Sequence, residues 1–423
     1  MSKQHNISPL GQEVVNFKTR FYPWIVCLSV ALFFFYQFLD MSSFNTLGTE
    51  IMHSFRLSTT QLGQLSAFYM YGLAIFFIPA GILLDHFSVR KLLLGAIIVA
   101  TAGILLFSQA QILWVAIIGR FLSGTMHSLA FLGCCRVAAR WLPNRMALAL
   151  GCMVTVGLLG GIVAQAPLVL LVDYMNWRSI FLILGALGIL IWVVMLIFLK
   201  DPPKDIKATW VNSDIFTILN NVKQVMKLTQ NWIPAFYTCL LNLPIMILGA
   251  LWGIVYLTQE HHLTSLQAAE ITSMIYVGTI IGSPIFGFWS DKIQRRKLPM
   301  LIAAIFSLAL ILIVFFNRQL SETALSMLFF LIGFFTSAQS LTYPLIVENN
   351  PPILSSTALG FASIIIMGVG GLFQPLFGWL LKNTTSQLGS YFTSNQLAFS
   401  LLPLAFVCCI FLACLIREQR AKS

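Results

Sequence analysis

The chain is 423 residues long, 58% hydrophobic and only 9% charged, with a mean hydropathy of +0.87. Soluble domains carry roughly 25% charged residues, so this composition excludes a water-soluble globule. The net charge of +11 gives no reason to expect nucleic acid as a partner, because topology accounts for it.

Charge-free stretches recur along the chain: Leu57 to Leu84, Leu92 to Gly119, Met146 to Val172, Leu228 to Gln259, Asn349 to Leu381 and Asn383 to Ile416. Each exceeds the ~20 residues that cross a bilayer as a helix. Divided at Pro, Gly and polar breaks, the sequence predicts twelve spans near 22–46, 61–84, 91–108, 112–136, 146–172, 178–199, 233–257, 267–289, 298–316, 324–347, 354–381 and 396–416. The segment 1–21 carries Lys3, Lys18 and Arg20 ahead of an apolar run too long for a cleavable signal, so the first helix is expected to stay as an anchor with the N-terminus inside. Of the 25 Lys and Arg, only Arg56, Arg178, Arg318 and Lys382 then fall outside and Arg120 within a span. That bias supports the orientation, with a cytoplasmic tail at 417–423. The 8 cysteines all lie in predicted spans without metal-ligand spacing, so no metal and no cofactor is expected.

The segment Gly81-Ile-Leu-Leu-Asp85-His-Phe-Ser-Val-Arg90-Lys91 recurs as Gly287-Phe-Trp-Ser-Asp291-Lys-Ile-Gln-Arg-Arg296-Lys297, at an offset of 206 residues. Repetition after six spans points to two similar halves with a solute site between them near mid-membrane. The halves are read as 22–199 and 232–416, joined by a linker at 200–231 that contains Asp201-Pro-Pro203 and no long apolar run.

Both copies resemble the loop motif of the major facilitator superfamily between helices 2 and 3 and between helices 8 and 9. Gly119-Arg120-Phe-Leu-Ser-Gly124 is similar to its helix 4 motif, and Asn176-Trp177-Arg178 with Lys200-Asp-Pro-Pro203 to its frame around helix 6. The resemblance implies an all-α polytopic fold of two six-helix bundles, functioning as a monomer in the bacterial inner membrane. It implies further that Gly81, Asp85, Arg90, Lys91, Gly287, Asp291, Arg296 and Lys297 latch the halves in one conformation. Ser88 and Gln294 stand where that motif usually has Gly.

Ionisable groups in hydrocarbon are functional hypotheses by default. Here they are Asp40, Arg120 and His127, with Glu270 and Glu348 nearer helix ends. Counted from the predicted outer ends, Asp40 and Arg120 lie at depths that agree within ~3 Å at 1.5 Å per residue, which permits an ion pair. His127 lies seven residues after Arg120, on the same helix face. In the family, helices 1 and 4 are neighbours, and such a pair couples protons to solute movement; a static pair that only orients the two helices is the alternative. The resemblance also implies that helices 1, 4, 7 and 10 line the path. This adds Tyr36, Gln37, Asn242, Trp252, Gln339 and Tyr343, with Gln374 on helix 11. Pro244, Pro344 and Pro375 mark expected bends.

Tyr36-Gln37-Phe38-Leu39-Asp40-Met41 resembles helix 1 of organic-anion permeases, but Met41 stands where an Arg would complete the anion clamp. A zwitterion or neutral solute is therefore expected, an amino acid or nucleoside, as in the phagosomal nutrient transporter family that Glu348-Asn-Asn-Pro-Pro352 and Gly370-Gly371-Leu-Phe-Gln374-Pro375 also resemble. A siderophore importer or an exporter is the runner-up, and a transporter-like sensor the alternative from another class. The sequence holds no catalytic constellation and no GxxxxGKS nucleotide loop, so neither an enzyme nor ATP-driven transport is expected.

Overall fold

The computed structural model describes residues 9–142, 145–172, 174–201, 215–317, 319–351, 354–383 and 394–418. The side chain of Asp85 and linker residues 202–214 lie outside the described residues. Among the described residues, twelve helices are long and apolar enough to cross a membrane: α1 (Phe21–Phe55), α2 (Thr59–Leu84), α3 (Val89–Ser108), α4 (Leu113–Trp141), α5 (Leu148–Val172), α6 (Trp177–Phe198), α7 (Thr229–Glu260), α8 (Ser265–Ile293), α9 (Lys297–Phe316), α10 (Glu322–Asn349), α11 (Thr357–Leu381) and α12 (Gln396–Leu415). Their outward faces carry exposed Trp114, Phe288, Phe316, Met327 and Phe411, apolar surface that suits lipid and not water.

The polar punctuation of the sequence sets the helix starts. Ser58 with Gln61 and Thr264 with Gln267 form capping boxes at α2 and α8, and Ser88, Asn176 and Ser321 cap α3, α6 and α10. Several helices outrun the expected spans, α1 the furthest. α1 was expected to stop near residue 46 but runs to Phe55, because nothing breaks it before Arg56. There the chain turns left-handed (φ 53°), with Leu57 N–H donating to the Met52 carbonyl at 2.9 Å. α7 likewise begins at Thr229 and ends at Glu260.

The two halves pack alike. α2 lies on α4 in the first and α8 on α10 in the second. Gly72 and Gly278, 206 residues apart, permit both contacts: a Cβ on Gly72 would strike the Phe121 carbonyl, and one on Gly278 the Phe330 carbonyl. Backbones approach this closely only where small residues let them.

The helices alternate between a proximal face, where α1 begins, and a distal face, where it ends. Between the halves, α2 packs against α11, α5 against α8, and α1 against α7. Among the described residues, polar contacts join the halves in the distal part. Thr59 Oγ1 donates to the Gly378 carbonyl at 2.7 Å, and Ser42 Oγ meets Tyr276 Oη at 2.7 Å.

Among the described residues, α7 is π-helical over Pro244–Trp252, α10 tightens to 3₁₀ over Ser337–Leu341, and α11 is π-helical over Ile365–Val369. These are the helices with the expected proline bends, although in α10 and α11 the irregular turn precedes the proline.

Candidate functional site

The membrane charges gather inside the first half. Arg120 Nη1 is 2.8 Å from Asp40 Oδ1, and both side chains are 1% exposed. The guanidinium lies 4.0 Å from the centre of the Phe44 ring and 4.5 Å from that of Tyr69, so aromatic faces supply the stabilisation that water cannot. Its contact with the carboxylate is through one nitrogen. Asp40 Oδ2 takes no hydrogen bond of ordinary geometry and sits 3.6 Å from His127 Nδ1. The nearby Ser123 hydroxyl donates instead to the Arg120 carbonyl at 3.1 Å.

Tyr69 of α2, which the sequence reading passed over, ties the cluster together. Its hydroxyl lies 3.0 Å from His127 Nδ1 and 3.1 Å from the Gln37 carbonyl. If it donates to that carbonyl, His127 must carry its proton on Nδ1 and donate to the phenol oxygen. Tyr36 is fully buried within the same half, its ring 5.5 Å from His127 and against Gly188 of α6. It faces the bundle interior and not the other half.

Asp40 lies well inside α1, now that the helix continues to Phe55, so the equal-depth count used a helix end that the structure moves. The pair forms nonetheless, because α1 and α4 pack directly on one another and bring the two side chains within reach.

Of the remaining candidates, Tyr343 reaches across the halves. Gln37 and Asn242 are 5% and 9% exposed, with side-chain oxygens that have no partner. The ring of Tyr343 is 6.1 Å from Phe131 of α4, and the Gln339 carbonyl accepts from Thr238 at 3.3 Å. Trp252 and Gln374 join α7 to α11 within the second half: Trp252 Nε1 donates to the Gln374 carbonyl at 3.2 Å, and Gln374 Nε2 to the Met246 carbonyl at 2.9 Å. Beyond Trp252, a cavity of about 230 Å³ opens on the distal side among Thr49, Met52, Thr59, Leu62 and Gln259. It is separate from the buried charges.

Tyr276 was not anticipated, because a single Tyr in a span reads as packing. It nevertheless reaches Ser42 across the halves and stands against Gly161 and Gly249.

Of the expected latch residues, Arg296 bonds Asp291 at 2.5 Å and Glu348 at 2.9 Å, and Arg90 holds Asp201 through its N–H at 3.2 Å and the Leu196 carbonyl at 3.0 Å. Lys297 donates to the Cys414 carbonyl at 2.5 Å. Apart from Asp201, which lies in the linker, the partners of these residues lie in the same half. Gly81 and Gly287 have open space around them.

A family model described as Major Facilitator Superfamily matches residues 30–375 and, in a second match, 234–423. A probable sulfoacetate transporter of Cupriavidus necator is 24% identical over 404 residues, covering 90% of this chain and 92% of that protein. A probable galactarate/D-glucarate transporter of Bacillus subtilis is 22% identical, covering 89% and 87%. The crystal structure of a nucleoside transporter superposes with a TM-score of 0.73 at 16% identity over 93% of this chain and 100% of that one, a likeness of fold alone.

Proposed function

The chain belongs to the major facilitator superfamily, and we propose that it is a proton-coupled importer of a small polar solute in the bacterial inner membrane. In this reading it acts as a monomer with cytoplasmic termini, the bundles 22–199 and 232–416 rocking about the linker 200–231. The observation that carries it is the Asp40–Arg120 pair, sealed from water with His127 3.6 Å from the free carboxylate oxygen. A buried ion pair adds little net stability, and losing one partner is costly, so its presence in the bundle supports a use in coupling. A proton on Asp40 removes the counter-ion of Arg120, and the half that packs around the pair must rearrange or take up another charge.

The other candidate side chains, Gln37, Asn242, Gln339 and Tyr343, are neutral, and the buried guanidinium is already engaged. This supports a neutral or zwitterionic solute, an amino acid or nucleoside. The relatives' names favour a second reading, a small organic acid. For such an anion, Arg120 freed by protonation of Asp40 is the cation deepest in the membrane, and proton and anion would cross as a neutral set.

Proteoliposome uptake with an inward pH gradient, present or collapsed, tests both readings. Gradient-dependent accumulation of an amino acid or nucleoside supports the first and of an organic acid the second; uptake indifferent to the gradient rejects proton coupling.

A further inference from the structure

The π-helical stretch of α7 strands backbone groups that the opposite half claims. Gln165 Nε2 donates to the Gly249 carbonyl at 2.8 Å, Asn45 Nδ2 donates to Gln165 Oε1 at 2.8 Å, and Ile254 N–H donates to Asn45 Oδ1 at 3.0 Å. Two carboxamides thus form a relay from the carbonyl of residue 249 to the N–H of residue 254. Those groups are five residues apart, the separation that a π-type turn joins directly, as it joins Gly253 N–H to the Leu248 carbonyl. The relay stands in for one helical hydrogen bond.

Both side chains belong to the first half: Asn45 sits within α1, and Gln165 sits at the break of α5 after Ala164. They are 2% and 0% exposed, where an unmade amide bond costs most.

We propose that Asn45 and Gln165 form a carboxamide clasp that holds the distal gate shut by completing the backbone of α7. When the halves part distally, the Gly249 carbonyl and Ile254 N–H lose the relay and re-form bonds within the helix. The π-containing form of α7 gives way to an α-helical one. Bonds are exchanged and not abandoned, which makes the gate two-state. Beside it, Thr59 and Gly378 close the α2–α11 seam. The clasp rests on the transporter reading for its purpose, but its geometry can be tested without any solute.

The test uses Ser42→Cys in the full-length chain, in right-side-out vesicles. Ser42 is buried against Tyr276, proximal to the clasp, so a membrane-impermeant maleimide added from the distal side reaches it only through an open gate; the peptide containing residue 42 is quantified by mass spectrometry. A buried hydrogen bond biases such an equilibrium by up to about tenfold, so Gln165→Met and Asn45→Ala, on separate helices, are expected to speed labelling by that order. Thr46→Val removes a bond of 2.6 Å to the Ala164 carbonyl within the first half and is expected to leave the rate unchanged. Unchanged labelling in both carboxamide variants overturns the clasp, as does an equal rise in Thr46→Val. Failure of every solute to accumulate would reject the transporter reading and leave the labelling result standing.

Discussion

Arg120 and Asp40 meet at 2.8 Å across α1 and α4, inside the first half and not at its face toward the second. Any solute bound between the halves therefore senses the pair through the packing of α1 and α4.

Asp40→Asn is expected to abolish accumulation driven by a pH gradient, by tenfold or more on the scale of a lost buried charge partner, while solute exchange across equilibrated membranes persists. Gradient-driven uptake and counterflow measured side by side check this, and loss of both would mean a structural role. Arg120→Lys should also fail, because an ammonium cannot lie across Phe44 and Tyr69 as the planar guanidinium does.

Tyr69→Phe removes the hydroxyl shared by His127 and the Gln37 carbonyl. A loss of about 1 kcal/mol in stability is expected, with a displaced pH profile of uptake if His127 relays the proton. A melting shift with an unmoved profile would confine His127 to holding helices together.

The two loop copies should answer oppositely to glycine. Gln294 ends α8 in the left-handed region, φ 53°, where a Cβ costs about 1 kcal/mol, so Gln294→Gly is expected to raise the melting temperature. Ser88 instead caps α3 at φ −58°, accepting from Lys91 N–H and donating to Asp201 at 2.5 Å. Ser88→Gly is expected to lower it, with a stability cost of a few tenths of a kcal/mol for the cap itself and more for the Asp201 bond. Thermal melts in detergent read both.

Gln37→Leu and Asn242→Leu are expected to raise KM for the solute several-fold with proton coupling retained, since each replaces a buried, unpartnered carboxamide oxygen. Unaltered KM in both would move the solute site elsewhere.

Gly278→Val forces a side chain against the Phe330 carbonyl in the α8–α10 contact. Destabilisation of roughly 2 kcal/mol or more is expected, read as lost folded protein by size-exclusion chromatography, whereas Gly287→Val, in open space, should be tolerated.

Much of this architecture was legible in the residues. Apolar run length counts helices because a bilayer leaves a backbone few alternatives, and the repeat at Gly81 and Gly287 announces two halves. Asp40, Arg120 and His127 stood out because charge in hydrocarbon is rare. Tyr69, Tyr276, Asn45 and Gln165 did not, since one neutral polar residue in a span has no pattern to mark it. Asn45 was also hidden by a span drawn to end at residue 46, although no residue before Arg56 stops the helix.

The sequence by itself determined the membrane class, the twelve helices and the identity of the buried charges, because hydropathy and charge are properties of single residues and short runs. Only the tertiary structure decided that the ion pair sits within one half, that the motif cations bond within their own halves, and that α7 abandons α geometry where Asn45 and Gln165 can complete it. Those outcomes depend on which surfaces meet, and close approach of helices far apart in the chain is set by packing that no local pattern encodes.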